Sequence, residues 1–287
     1  MIAVLKHELS SYFHSLTAYV FGAFLLVFVG ISSMFYNLQQ AVANFEYVLA
    51  SVLLIFVGIV PILTMRVIAE ERKQKTDQLL YSLPITATDI IVGKYLALLA
   101  VYCVPLLIVC IYPLIFSRYG DVYLLTSYGS IAAFFVLGAA LIAVGMFISS
   151  LTENQGFAAG IIVPVILVNY YSVTLADYIS SSSIGSMIAL YALVLAAGLI
   201  IKILTKNETL AYGVGIMGVA GIMITYFADR TAFEGLLPNI MKQLSLFERF
   251  YSFVNGVFDM TAIVFYLTVV IFFLFLSVQS LEKRRYN

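Results

Sequence analysis

Few side chains in this 287-residue chain are spaced for chemistry. His7 and His14 stand seven residues apart. On a helix that separates them by roughly 10 Å along the axis, too far to share a metal ion. Cys103 and Cys110 repeat that spacing inside one apolar run, too far apart for a disulfide, and read as small apolar packing residues. Gly93-Lys94 has neither the upstream glycine nor the following hydroxyl residue of a phosphate loop. No His-Glu-x-x-His or local nucleophile motif is present. The residues thus point to a protein that is not itself a catalyst and assign no metal or cofactor to it. What stands out is charge: nine of the 30 Asp, Glu, Lys and Arg residues lie between Arg66 and Lys94, in a chain only 10% charged.

That block, 66–94, is patterned for helix. Arg66 and Glu70 are four apart, as are Glu71 and Lys75, so each pair can bridge on a helix surface. Val67, Ile68, Leu79 and Leu80 supply an apolar side, and Leu83-Pro84 stops the helix, because proline disfavours a helical residue before it. After a turn over 82–88, Thr88-Asp89 can cap a second helix. Two interpretations remain open: a solvated loop with weak surface ion pairs, or a helix–turn–helix that docks a partner and receives force from it.

The elements around the block are apolar. The chain is 63% hydrophobic with a mean hydropathy of +1.05, well beyond the roughly 45–50% apolar content of soluble domains. It reads as an all-α polytopic membrane protein, one domain over 1–287. Windows free of Asp, Glu, Lys and Arg run 9–45, 47–65, 95–117, 122–152, 154–176, 178–201, 209–228 and 260–281. Each can hold the ~20 residues of a spanning helix, which predicts about eight spans. With the N terminus inside, cytoplasmic segments carry eleven Lys and Arg residues against Arg118, Arg230, Lys242 and Arg249 on the other face. Both termini are then cytoplasmic. The net charge is zero and gives no argument for nucleic acid.

Residues 1–15 place Ile2, Leu5, Leu9, Tyr12, Phe13 and Leu16 on one face, as expected of a helix in the inner interface rather than a signal peptide. Segment 229–259 falls outside the membrane on this topology. Ile240, Leu244, Phe247 and Tyr251 recur there at helical spacing, consistent with an amphipathic interfacial helix; its phenylalanines could instead form a substrate-binding cluster. Pro61, Pro105, Pro113 and Pro164 predict kinks within or near spans. No span carries a charge at its centre, unlike typical ion-coupled transporters. Asn169, Tyr170 and Tyr171 near the outer end of the fifth window could line a substrate path or bond helix to helix.

The pattern Arg66-Val-Ile-Ala-Glu-Glu-Arg, Thr76-Asp-Gln-Leu-Leu, Leu83-Pro84 and Gly93-Lys94 resembles the cytoplasmic loop between the second and third spans of type-2 ABC exporter permeases. Gliding-motility (Gld-type) and nitrous-oxide-reductase-maturation permeases are the most similar. Leu5-Lys-His-Glu-Leu-Ser resembles that family's interfacial elbow helix, and Leu244-Ser-Leu-Phe-Glu-Arg-Phe with Gly256-Val-Phe-Asp259 resembles its segment before the last span. The resemblance implies a permease subunit that couples hydrolysis by a separate ATPase, carrying ATP and Mg, to substrate export. Two ATPase copies and a second permease, identical or homologous, would complete the transporter in a bacterial plasma (inner) membrane among its lipids. Arg66, Glu70, Glu71, Arg72, Lys75, Asp77 and Leu80 would form the ATPase-coupling element. The family usually has six spans where these windows give eight. The rival expectation is a polytopic scaffold or membrane-embedded enzyme without an ATPase partner.

Overall fold

A computed structural model describes residues 1–76, 85–179, 182–205, 208–228 and 233–285. Every regular element among them is helical. In chain order these are α1 (Ile2–His14), α2 (Leu16–Ser33, extended by a π turn Met34–Gln39), α3 (Glu46–Ser51), a 3-10 turn Leu53–Ile55, α4 (Phe56–Thr64) and α5 (Ala69–Gln74). There follow α6 (Ala87–Val109), α7 (Ile111–Phe116), α8 (Leu124–Leu151), α9 (Gln155–Tyr178), α10 (Ser183–Thr205), α11 (Glu208–Ala228), α12 (Leu236–Leu244), α13 (Leu246–Val254) and α14 (Met260–Arg285).

Six stretches of the described residues are long and apolar enough to cross a membrane: Leu16–Gln39, Glu46–Gln74, Ala87–Phe116, Leu124–Leu151, Gln155–Tyr178 and Met260–Arg284. The other two windows also fold as helices, α10 and α11, whose described apolar stretches Ser183–Ala192 and Gly215–Phe227 are shorter. Pro61, Pro105 and Pro164 lie inside α4, α6 and α9, and Pro113 lies in α7 just beyond the break at Cys110.

The chain packs as two units: Met1–Val168 with Leu246–Asn287, and Asn169–Ser245. The first is built around α8. At 28 residues, about 42 Å, this helix exceeds the ~30 Å hydrocarbon layer. It is buried on nearly every side by α4, α6, α13 and α14. Its small residues admit neighbours closely, as membrane helices require where dispersion drives association. At Gly138 an added Cβ would strike the ring of Tyr102, whose hydroxyl donates to the Phe134 carbonyl at 2.8 Å. Phe56 and Phe134 fill the adjoining space with ring centroids 4.7 Å apart.

One end of this unit gathers both chain termini. The Met1 amine lies 3.6 Å from Asp89 at the start of α6. Near the C terminus, Ser280 donates to the Ser150 carbonyl at 3.0 Å, and Arg284 pairs with Glu153. We call this end basal and the opposite one apical.

Two amphipathic segments turn particular side chains inward. In α1 the most buried side chains are Glu8 and Tyr12, while Ile2, and Leu16 at the start of α2, are exposed. A carboxylate takes the inward position because a cation awaits it there. In α13 the buried face is Leu246, Phe247, Phe250, Phe253 and Val254, with Tyr251 exposed, as is Leu244 at the end of α12. Ser245, in extended backbone, breaks the helix expected to run from 240 to 251 and resets its phase. The inward phenylalanines are therefore core: Phe250 meets Phe134 of α8 with ring centroids 6.0 Å apart, and Tyr266 donates to the Leu246 carbonyl at 2.8 Å.

In the second unit α10 packs along α11, and α12 lies against α10. Lys242 pairs with Asp177 at 2.7 Å. Asn169 donates from its side chain to the Leu244 carbonyl at 3.1 Å and accepts from Ser245 Oγ at 3.4 Å.

Candidate functional site

The charged block folds as a short helix, α5, whose acidic Glu70 and Glu71 occupy its first turn and basic Arg72 and Lys73 its last, each sign favoured by the helix dipole. It does not continue to Leu83-Pro84. Lys75 takes a left-handed conformation with φ of 58°, and the Thr76 amide bonds back to the Glu71 carbonyl at 3.0 Å. Asp77 and Leu80 lie outside the described residues. The next described helix, α6, starts at Ala87 with Thr86 as its cap. Thr86 Oγ1 accepts from the Asp89 amide at 3.1 Å and donates to the Asp89 carboxylate at 2.7 Å. The cap thus sits two residues earlier than Thr88, and Asp89 acts as its reciprocal partner.

Arg66 and Glu70 pair as the spacing predicts, at 2.8 Å. Arg66 also donates to Thr17 Oγ1 at 2.5 Å and lies 6.0 Å from the ring centre of Tyr12. Glu71 turns from Lys75 to Lys94, because Lys75 is past the helix end while Lys94 is one helix away and buried. Lys94 is 1% exposed, and its ammonium donates to Glu8 at 2.6 Å, Glu71 at 2.6 Å and the Val67 carbonyl at 3.3 Å. An ammonium has three protons, and here all three are used. Burying a cation costs several kcal/mol unless it is paired and hydrogen-bonded, so one side chain locks α1, α5 and α6 together. Gly93 makes the approach possible. A Cβ there would stand 3.1 Å from Val4 Cβ and 3.2 Å from the Met1 carbonyl.

Tyr12 braces the same corner by donating to the Leu63 carbonyl at 3.3 Å. Burial, reinforced by the negative charge of Glu8, raises its pKa, which keeps the phenol protonated as that donor. Arg72, expected either to hold the helix or to meet acidic partner residues, is buried and donates to the Ser150 carbonyl at the end of α8. Above the lock a cleft of about 570 Å³ opens between α1 and α5, bordered by His7, Ser11, Glu70 and Gln74. Glu8, Glu70, Glu71 and Arg66 line it and the buried Lys94 lies beneath, so three carboxylates meet two cations, leaving a surplus of one negative charge.

Residues 10–180 match the family model for ABC-2 family transporter protein, about three fifths of the chain. The chain belongs to the ABC-2 transporter family. No curated protein and no solved structure matches it. As an ABC-2 transporter protein it is a multi-pass membrane permease component, and the matched region contains α5, Lys94 and Glu71, beginning two residues after Glu8.

Of the residues singled out from sequence, Arg66, Glu70, Glu71 and Arg72 converge at the basal end of this permease, with Lys75 at the rim of α5. Asn169, Tyr170 and Tyr171 belong to the second unit; Asn169 spends its bonds on the 244–245 link, and Tyr170 and Tyr171 meet edge to face. Glu8 and Lys94 were missed as a pair. Lys94 stood among loop charges, yet its neighbours Ile90, Ile91, Val92, Tyr95 and Leu96 form an apolar run. A lone lysine in such a run was the available signal.

Proposed function

We propose that this ABC-2 permease is the membrane subunit of an ATP-driven exporter, and that α5 and the cleft beside it receive a separate ATPase. The observation carrying this proposal is the Glu8–Lys94–Glu71 lock. It ties the short exposed helix to the interfacial helix and to a membrane span, so a displacement of α5 reaches both at once. Glu70, Lys73, Gln74 and Lys75 present the polar surface of α5 to a partner. Glu71 and Arg72 hold that surface in place from beneath. Two ATPases and a second permease, identical or homologous, complete the transporter, with ATP and Mg on the ATPases. The Gld-type and nitrous-oxide-reductase-maturation exporters are the subfamily we favour, in a bacterial plasma membrane. Tyr170 and Tyr171 are the better candidates for a substrate path.

We further propose eight spans with the basal end cytoplasmic. Both termini reach one end of the first unit, as an even number of crossings requires. Helices α10 and α11 have 23 and 21 residues, about 34 and 31 Å, which suits a hydrocarbon layer of ~30 Å. Positive-inside bias sets the orientation.

Two experiments decide these points. Co-purification in mild detergent should bring down a phosphate-loop ATPase; a permease that purifies alone, with no ATPase stabilising it, sinks the exporter reading. Single cysteines at 206 and 242, in a background lacking Cys103 and Cys110, should label with an impermeant thiol reagent from opposite faces. Labelling of position 206 from outside ends the eight-span topology.

A further inference from the structure

Breaking a span to make α5 leaves main-chain groups stranded. The first N–H groups of a helix have no intrahelical acceptor, and Ile68, at the N-cap position of α5, has no side-chain oxygen to offer. The cap comes from another helix. Ser149, near the end of α8, accepts from the Ile68 amide at 3.4 Å and the Ala69 amide at 3.3 Å, and donates to the Met65 carbonyl at 3.1 Å. A hydroxyl has one proton and two lone pairs, so its capacity is spent on the broken turn. Ser149 is fully buried. The next residue adds a second tie, because the Ser150 carbonyl accepts from Arg72 of α5 and from Ser280 of α14.

We propose that Ser149 is a positioning residue that caps α5 from α8 and makes the two helices move as one body. This rests on the coupling reading of α5 and adds its route inward. The lysine lock carries displacement to α1 and α6. The serine cap carries it to α8, the helix against which α4, α6, α13 and α14 all pack. Sequence spacing could not reveal the cap, since 80 residues separate the partners.

The full-length protein in detergent provides the first test, by amide hydrogen exchange across 65–74. Ser149→Ala should accelerate exchange at Ile68 and Ala69 roughly tenfold, the scale of a lost cap. Ser149→Thr, which keeps the hydroxyl, should restore protection. Ser150→Ala is the control for general loss of packing: it removes an equally buried hydroxyl, but one bonded to the Phe147 carbonyl of its own helix at 2.7 Å. Unchanged exchange in Ser149→Ala, or equal acceleration in Ser150→Ala, overturns the cap.

The second test repeats the exchange measurement on the Ser149 protein with the co-purified ATPase, with and without ATP and Mg. Protection at Ile68 and Ala69 should be the same in both conditions, because α5 does not part from α8, and should fall on ATP only when Ser149→Ala is added. Protection that already falls on ATP in the Ser149 protein overturns the one-body claim. Failure of the coupling reading shows separately, as an ATPase indifferent to Glu70→Lys, while the exchange result still decides the cap.

Discussion

At the basal end of the first unit, Lys94 gathers carboxylates from two other helices, whereas at the apical end the buried Glu46 meets neutral donors. Its oxygens accept from Asn44 at 2.6 Å and Ser127 at 3.3 Å. The rest of the apical closure is aromatic: Phe250 against Phe134, Phe253 against Phe258, and Ser130 donating to the Phe253 carbonyl at 3.1 Å. The two ends differ in how their energy depends on distance. Charge-assisted hydrogen bonds in a low-dielectric site are roughly twice as strong as neutral ones, and breaking one leaves an uncompensated charge. Edge-to-face rings, as these are, lose contact energy gradually as they slide. The basal end is therefore suited to transmit a displacement as a unit, and the apical end to yield to one.

Removing the central cation should produce the largest effect. Lys94→Met leaves Glu8 and Glu71 facing each other beneath the cleft and should cost about 3–5 kcal/mol, read as a lowered thermal midpoint in detergent. Adding Glu8→Gln and Glu71→Gln should recover much of that loss. If the triple variant is no more stable than Lys94→Met, the lock is not electrostatic. The apical counterpart, Glu46→Ala, strands only neutral donors and should cost about 1–3 kcal/mol. A larger loss there than at Lys94 would invert the comparison.

Surface changes at α5 should sort differently again. Glu70→Lys breaks the partly exposed Arg66 pair and should alter stability by less than about 1 kcal/mol. It should nevertheless uncouple ATP hydrolysis from transport, because a reversed charge at an interface costs binding. An unchanged coupling ratio would return α5 to a solvated loop. The smallest effect belongs to Lys75→Gly. Glycine suits the left-handed backbone there and should leave stability within about 1 kcal/mol of wild type, with the helix end unmoved in exchange measurements.

Much of this molecule could be read from its chain. Apolar windows longer than a bilayer is thick dictate spanning helices wherever they fall, because unpaired backbone groups are intolerable in hydrocarbon. The six described spans lie within or across windows visible as runs without charge. Arg66 and Glu70 paired as their spacing required, since neighbours on one helix turn need no fold to meet. The match that places the chain in the ABC-2 family runs over residues 10–180, read from sequence alone.

What the sequence left open is everything that depends on which helices become neighbours. Glu71 could have bridged to Lys75 by spacing alone, but the left-handed turn at Lys75 ended the helix and burial of Lys94 offered a stronger partner. The inward place of Glu8 in α1 cannot be read from an amphipathic pattern, which counts a carboxylate as polar, whereas a cation waiting across the interface makes the interior its favourable place. Ser245 reset the phase of α13 through its extended backbone, which periodicity cannot register. Ser149 caps a helix 80 residues away. Local sequence fixes what each segment can form; the partner for a buried charge or a stranded amide is decided only when the helices assemble, because both groups must then find, in a medium without water, whatever opposite group the fold has brought within reach.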